Sequence, residues 1–123
     1  HRGDAFAAMR ARGRVKFVGL QLRGTDFSGK SLVGSDLTGS DLRDASFRKA
    51  NLTGIVLADT NVRGADFSGA RLVGVDMATA SGWRESKCDE QTTLPIGWTC
   101  KNGAPVGREG EGADPRETSR DTF

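Results

Sequence analysis

A chain of 123 residues, 36% of them apolar and with a formal charge of +2, supports one modest domain. No stretch approaches the roughly eighteen consecutive apolar residues of a membrane-spanning helix. No signal or transit sequence is visible, and the opening His1, in place of Met, reads as a processed or trimmed form.

Residues 1–14 are expected to form an N-terminal cap. The stretch "GDAFAAMRARG" (3–13) reads as a short helix with Asp4 as its N-cap and Phe6 and Met9 on one face. That face is placed to plug the open end of the segment after it. From Val15 to Thr79 an apolar residue recurs at every fifth position: Phe17, Leu22, Phe27, Leu32, Leu37, Leu42, Phe47, Leu52, Leu57, Val62, Phe67, Leu72 and Met77. Period five matches neither a helix face nor the alternation of a strand. A strict internal repeat is instead the mark of a solenoid. The thirteen units carry a mostly small residue two positions before the centre, often Asp or Asn one before, and mostly Gly two after. A large apolar residue and a small one point inward, polar ones outward, and Gly takes the turn.

With the unit small–Asp/Asn–Leu/Phe–x–Gly, residues 15–79 resemble the pentapeptide-repeat family. The resemblance implies an all-β fold, a right-handed quadrilateral β-helix with one pentapeptide per side and four per coil, here about three coils. It also implies a second period of twenty, and the residues carry it. Phe27, Phe47 and Phe67 fall in one column, and "TDFSGKSLVGSD" returns as "ADFSGARLVGVD" two coils later. Coils about 4.8 Å apart place these rings in the offset-stacking range of roughly 4.5–7 Å. Each buried Leu or Phe contributes on the order of 1.5–3 kcal/mol. Both ends of so short a solenoid need caps.

Two outer features exceed what the repeat requires. Arg23, Arg43 and Arg63 come directly after the centres of one side and form a ladder of like charges, with Asp41 and Asp44 nearby to relieve it. The ladder is either a solvated, partly paired face or a stripe for an anion or a partner. On another side Val33 and Val73 face outward around Thr53, a mildly apolar strip suited to a partner. Lys30 stands where a small inward residue belongs and is expected to snorkel out.

Residues 80–102 are expected to form an irregular C-terminal cap, with Trp83, Leu94, Ile96 and Trp98 covering the last coil. Cys88 and Cys100 lie within it. They can close a disulfide worth roughly 2–3 kcal/mol, or remain two buried thiols. The loop-rich setting favours the disulfide, and with it an oxidising compartment: thylakoid lumen, periplasm or outside the cell, the cytoplasm remaining open. Residues 103–123 are rich in Gly, Pro and charge and bury too little to order themselves. Such a tail is expected to be ordered by a partner, with Phe123 as anchor and Arg116 and Arg120 among its charged contacts.

The sequence shows no catalytic, cofactor-binding or metal-ligating constellation. The one histidine is His1, so a Ser-His-Asp or Cys-His centre and a zinc site both lack their ligands. The aspartates sit at the outward motif position, where hydrogen bonding at the coil corners explains them. Asn51-Leu52-Thr53 matches a glycosylation sequon that the repeat generates by itself. The expected function is a non-catalytic protein–protein interaction or assembly module, an accessory subunit of a larger complex that can itself be membrane-associated, with no small-molecule substrate. The alternative comes from the family resemblance, since some members are similar to duplex DNA and bind DNA gyrase. That mimicry needs a long acidic rod, whereas this repeat block holds seven acidic side chains against eight basic ones. Direct nucleic-acid binding through the Arg ladder lacks stacking platforms, because the phenylalanines point inward.

Overall fold

The computed structural model describes residues 16–107; the expected N-terminal cap lies outside them. Within that range the chain winds as a four-sided coil. After the apolar centres from Leu22 onward a β-turn closes back on the centre's carbonyl, as from the Thr25 N–H to Leu22 O (3.1 Å) and from the Ala50 N–H to Phe47 O (3.0 Å). The third turn position has positive φ, between 68° and 77° at the repeat glycines. This is why the repeat favours glycine two residues after the centre. Asp44, Lys49 and Asp59 occupy the same position at φ 60°, 59° and 57°.

Successive coils pair in parallel at an offset of twenty residues: Lys16 with Asp36, Asp36 with Val56, Asp41 with Asn61, Asn51 with Arg71. The rungs are short, with Phe17 N–H to Asp36 O at 2.7 Å and Asp41 N–H to Leu20 O at 2.9 Å. All thirteen centres are buried, and so are the small residues Thr25, Ser35, Ser40, Ala45, Ala50, Thr60, Ala65 and Ala70 beside them. Phe27, Phe47 and Phe67 form the expected column, with ring centroids 5.1 Å apart and planes within 7° of parallel. In the first coil two large residues occupy small inward positions. Leu20 is 40% exposed, and Lys30 is half-buried.

The C-terminal region departs from expectation in three ways. First, the parallel ladder does not stop at Thr79. Ser81 pairs with Asn61, Lys87 with Asp66 and Thr93 with Arg71, so the offset grows from 20 to 21 to 22. Two single-residue insertions hide this fourth coil from a strict five-residue count. By this register Gly82 stands above Val62 and Cys88 above Phe67, both too small to fill their columns. Trp83, raised on a 3-10 turn (Trp83–Glu85), fills the volume and packs on Phe67 with ring centroids 5.1 Å apart and planes tilted by 43°. Its indole N–H donates to Met77 O at 2.7 Å, which satisfies its one polar atom. Trp98 closes the stack edge-on, 6.0 Å from Trp83, and Leu94 packs against the core.

Second, Ile96 does not cover the last coil; it is 92% exposed. The Trp98 N–H returns to Pro95 O at 3.0 Å, and Gly97 has φ 92°. That turn holds Ile96 at its outer corner, where the side chain points into solvent.

Third, the cap does not end at Asn102. Strand β1 (Thr99–Lys101) pairs antiparallel with β2 (Ala104–Val106). Asn102 and Gly103, both left-handed at φ 53° and 79°, form the two-residue turn of a type I′ hairpin. The expected boundary between 102 and 103 therefore falls inside this turn. A disulfide joins Cys88 to Cys100, Cα atoms 6.0 Å apart, and pins the hairpin to the fourth coil.

Candidate interaction surface

The outer faces arise from the same local chemistry as the core. Except at Asp76, the Asp or Asn before a centre turns its Oδ1 back onto the main chain and accepts the N–H two residues on. Asp26 does so from Ser28 (2.9 Å), Asp36 from Thr38 (3.0 Å), Asn51 from Thr53 (3.2 Å), Asn61 from Arg63 (3.0 Å) and Asp66 from Ser68 (3.0 Å). These Asx turns stiffen the coil corners. They also favour the ionised carboxylates. The Ser28 and Thr38 side chains hold Asp26 and Asp36 below the usual carboxylate range, and the Arg43 guanidinium does the same for Asp41. At Asp66 and Asp89 burial opposes ionisation, but hydrogen bonds outweigh it. They come from Ser68 and Arg48 at Asp66, and from the Gly69 and Gln91 main chain and Thr92 at Asp89.

The arginine ladder stands on one face but not as a bare cationic stripe. Arg43 is bidentate to Asp41, at 2.9 and 2.7 Å, and Arg23 reaches Asp44 at 3.4 Å. Arg63 is exposed, with no ion pair among the described residues. Two of the three charges are thus matched locally, which lowers the repulsion a like-charge ladder carries. Arg48, on the neighbouring side, pairs with Asp66 at 3.0 Å.

The apolar strip is more extensive than the repeat alone indicates. Val33 is half-buried, and Val73 is 39% exposed. The pairing of Thr93 with Arg71 carries the column upward, setting Pro95 above Val73 and Ile96 at the adjoining corner. The strip thus runs from Val33 through Thr53 and Val73 to Pro95 and Ile96. Counting in fives misses the last two, because the insertions of the fourth coil shift them out of register. Arg116, Arg120 and Phe123 lie outside the described residues. Among the described residues no helix is long and apolar enough to cross a membrane.

The family model described as pentapeptide repeats in eight copies matches residues 16–54 and again 50–80, just over half of the chain. The chain belongs to the pentapeptide-repeat family. Pentapeptide-repeat proteins fold as right-handed quadrilateral β-helices, and the four columns seen here are the sides of one. Several solved pentapeptide-repeat structures are similar. One, from the cyanobacterium Cyanothece 51142, is 16% identical with a TM-score of 0.42, over 76% of this chain and 99% of that one. Another, from Nostoc PCC 7120, is 25% identical with a TM-score of 0.35, over 78% and 87%. A third, from the thylakoid lumen of Arabidopsis thaliana, is 24% identical with a TM-score of 0.27, over 63% and 59%. No curated protein sequence matches the chain.

Proposed function

We propose that this pentapeptide-repeat chain is a non-catalytic interaction module that docks a protein partner, as an accessory subunit of a larger assembly. The observation that supports this most directly is the outward strip from Val33 to Ile96 on a rigid face. Ile96 is 92% exposed at its end. Burying such side chains against a partner is favourable at on the order of 25 cal/mol per Å² of apolar surface. The face is preorganised by the coil ladder, so little ordering entropy opposes docking. The tail beyond Gly107, with Arg116, Arg120 and Phe123, is a proposed second contact, and the partly paired ladder of Arg23, Arg43 and Arg63 a proposed polar rim. The Cys88–Cys100 disulfide favours an oxidising compartment. The balance of seven acidic against eight basic side chains in the repeats speaks against mimicry of a phosphate backbone.

The test is purification from the native source at mild salt, with mass spectrometry of what is retained, for the wild type and for Ile96→Asp and Val73→Asp. Both residues are exposed, so neither change should move the thermal midpoint. The expected result is a defined partner on the wild type that both variants lose. A clean monomer from native material, or a partner held equally well by the variants, overturns the reading.

A further inference from the structure

The chain contains three asparagines, and the fold treats one of them differently. Asn51 and Asn61 each hold their side-chain oxygen against a main-chain N–H, from Thr53 and Arg63. Asn51 also accepts the Thr53 hydroxyl at 2.6 Å. The residues directly after them, Leu52 and Val62, are buried. Asn102 is exposed at the tip of the β1–β2 hairpin and is followed by Gly103, also exposed. Among the described residues its amide makes no hydrogen bond. The space around Gly103 is open, with no atom within 4 Å of where a Cβ would stand.

From this we infer that the Asn102–Gly103 bond is a site of spontaneous covalent modification, deamidation through a succinimide, and that it acts on the C-terminal cap. The main-chain nitrogen of Gly103 attacks the side-chain carbonyl carbon of Asn102. A C–N bond forms, the bond from that carbon to Nδ2 breaks, and ammonia leaves. Solvent base takes the Gly103 amide proton, and water protonates the departing nitrogen. Water then opens the five-membered ring at either carbonyl, leaving aspartate or isoaspartate. No oxidant or reductant enters. Glycine is the residue that best permits the attack, because no side chain shields its nitrogen.

The attack needs the turn to relax, and beyond the base held by the Cys88–Cys100 cystine the hairpin has few bonds to resist this. Its ladder has three residue pairs, Thr99–Val106, Cys100–Pro105 and Lys101–Ala104, and Pro105 has no N–H to give. Short segments with few bonds open at low free energy. The product matters because Gly103 O accepts the Cys88 N–H at 2.9 Å. Isoaspartate lengthens the main chain by one carbon within a two-residue turn whose geometry both left-handed residues define. That turn cannot keep its form, and the Cys88–Gly103 hydrogen bond is lost with it, which leaves the cystine as the tie between coil and hairpin.

The experiment ages the intact protein at mildly alkaline pH and body temperature and tracks each asparagine by peptide mass spectrometry. A urea-unfolded sample and Asn102→Gln serve as controls, and thermal midpoints are taken on the separated fractions. Asn102 is expected to convert several-fold faster than Asn51 or Asn61 in the folded protein. The isoaspartate fraction should melt several degrees lower, and Asn102→Gln should keep its midpoint on ageing. Asn102 staying intact in the folded protein while converting in urea overturns the site. An isoaspartate fraction that melts with the parent overturns its link to the cap.

Discussion

Gly82 shows how one residue closes the solenoid. Its φ is 94°, and a Cβ there would lie 2.6 Å from the main-chain nitrogen of Arg63. Gly82→Ala is therefore expected to cost about 2–4 kcal/mol, from backbone strain and overpacking together. Gly54→Ala is the control. It has φ 68° and no atom within 4 Å of the new Cβ, so only the left-handed penalty of about 1–2 kcal/mol applies. Denaturant midpoints of the two variants check this, and equal losses would show that the close approach is not real. Thr25 makes the opposite point. Its hydroxyl is buried without a hydrogen-bond partner, while Ala45 and Ala65 hold the equivalent places above it. An unsatisfied buried hydroxyl costs about 1–3 kcal/mol, so Thr25→Val should raise the thermal midpoint. A lower midpoint would mean that the hydroxyl is satisfied in solution.

The aromatic column packs the core of the coil, and the cystine-held hairpin covers its end. Phe47 is stacked on both faces, by Phe27 and Phe67 at 5.1 Å each, and is 1% exposed. Phe47→Ala should cost about 3–5 kcal/mol; a loss below about 1 kcal/mol would place the ring outside a packed core. The stack continues through Trp83 to Trp98, so the hairpin is the lid of the column. The cystine between residues 88 and 100, at a sequence separation of 12, restricts the unfolded cap. The double variant Cys88→Ala/Cys100→Ala should lose roughly 2–3 kcal/mol. Trp fluorescence then reports whether the lid alone loosens or the whole coil unfolds. The strong hairpin signal, Asn-Gly between two extended stretches, was present in the sequence. The Gly- and charge-rich composition of the adjoining tail masked it and drew the boundary at 102/103, ahead of strand β2 (Ala104–Val106).

Over the whole molecule, acid stability is set by the outward aspartates. Asp26, Asp36, Asp41, Asp66 and Asp89 all have carboxyls lowered from their ordinary value in the folded chain. Their contribution is fully present above the unfolded value of about 3.9 and is lost as pH falls through the lower folded values. The thermal midpoint should stay level from neutrality to about pH 5 and fall below about pH 4. A midpoint that holds steady to about pH 2 would mean that the Asx turns do not depend on ionised carboxylates.

The sequence by itself determined the coil: its four columns, the Phe27–Phe47–Phe67 stack, the inward small residues and the outward aspartates. The reason is that every repeat meets the same local problem, one large side chain inside and one left-handed turn, and solves it with the same residue types. Only the tertiary structure decided how the coil ends. The fourth turn gains a residue at each of two places, so Trp83 leaves the five-residue register and fills the volume that Gly82 and Cys88 leave empty. Ile96, apolar and expected inside, is turned out by the Pro95–Trp98 turn. Contacts of this kind depend on which void lies beneath a residue, and a void is a property of the packed coils rather than of any five-residue unit.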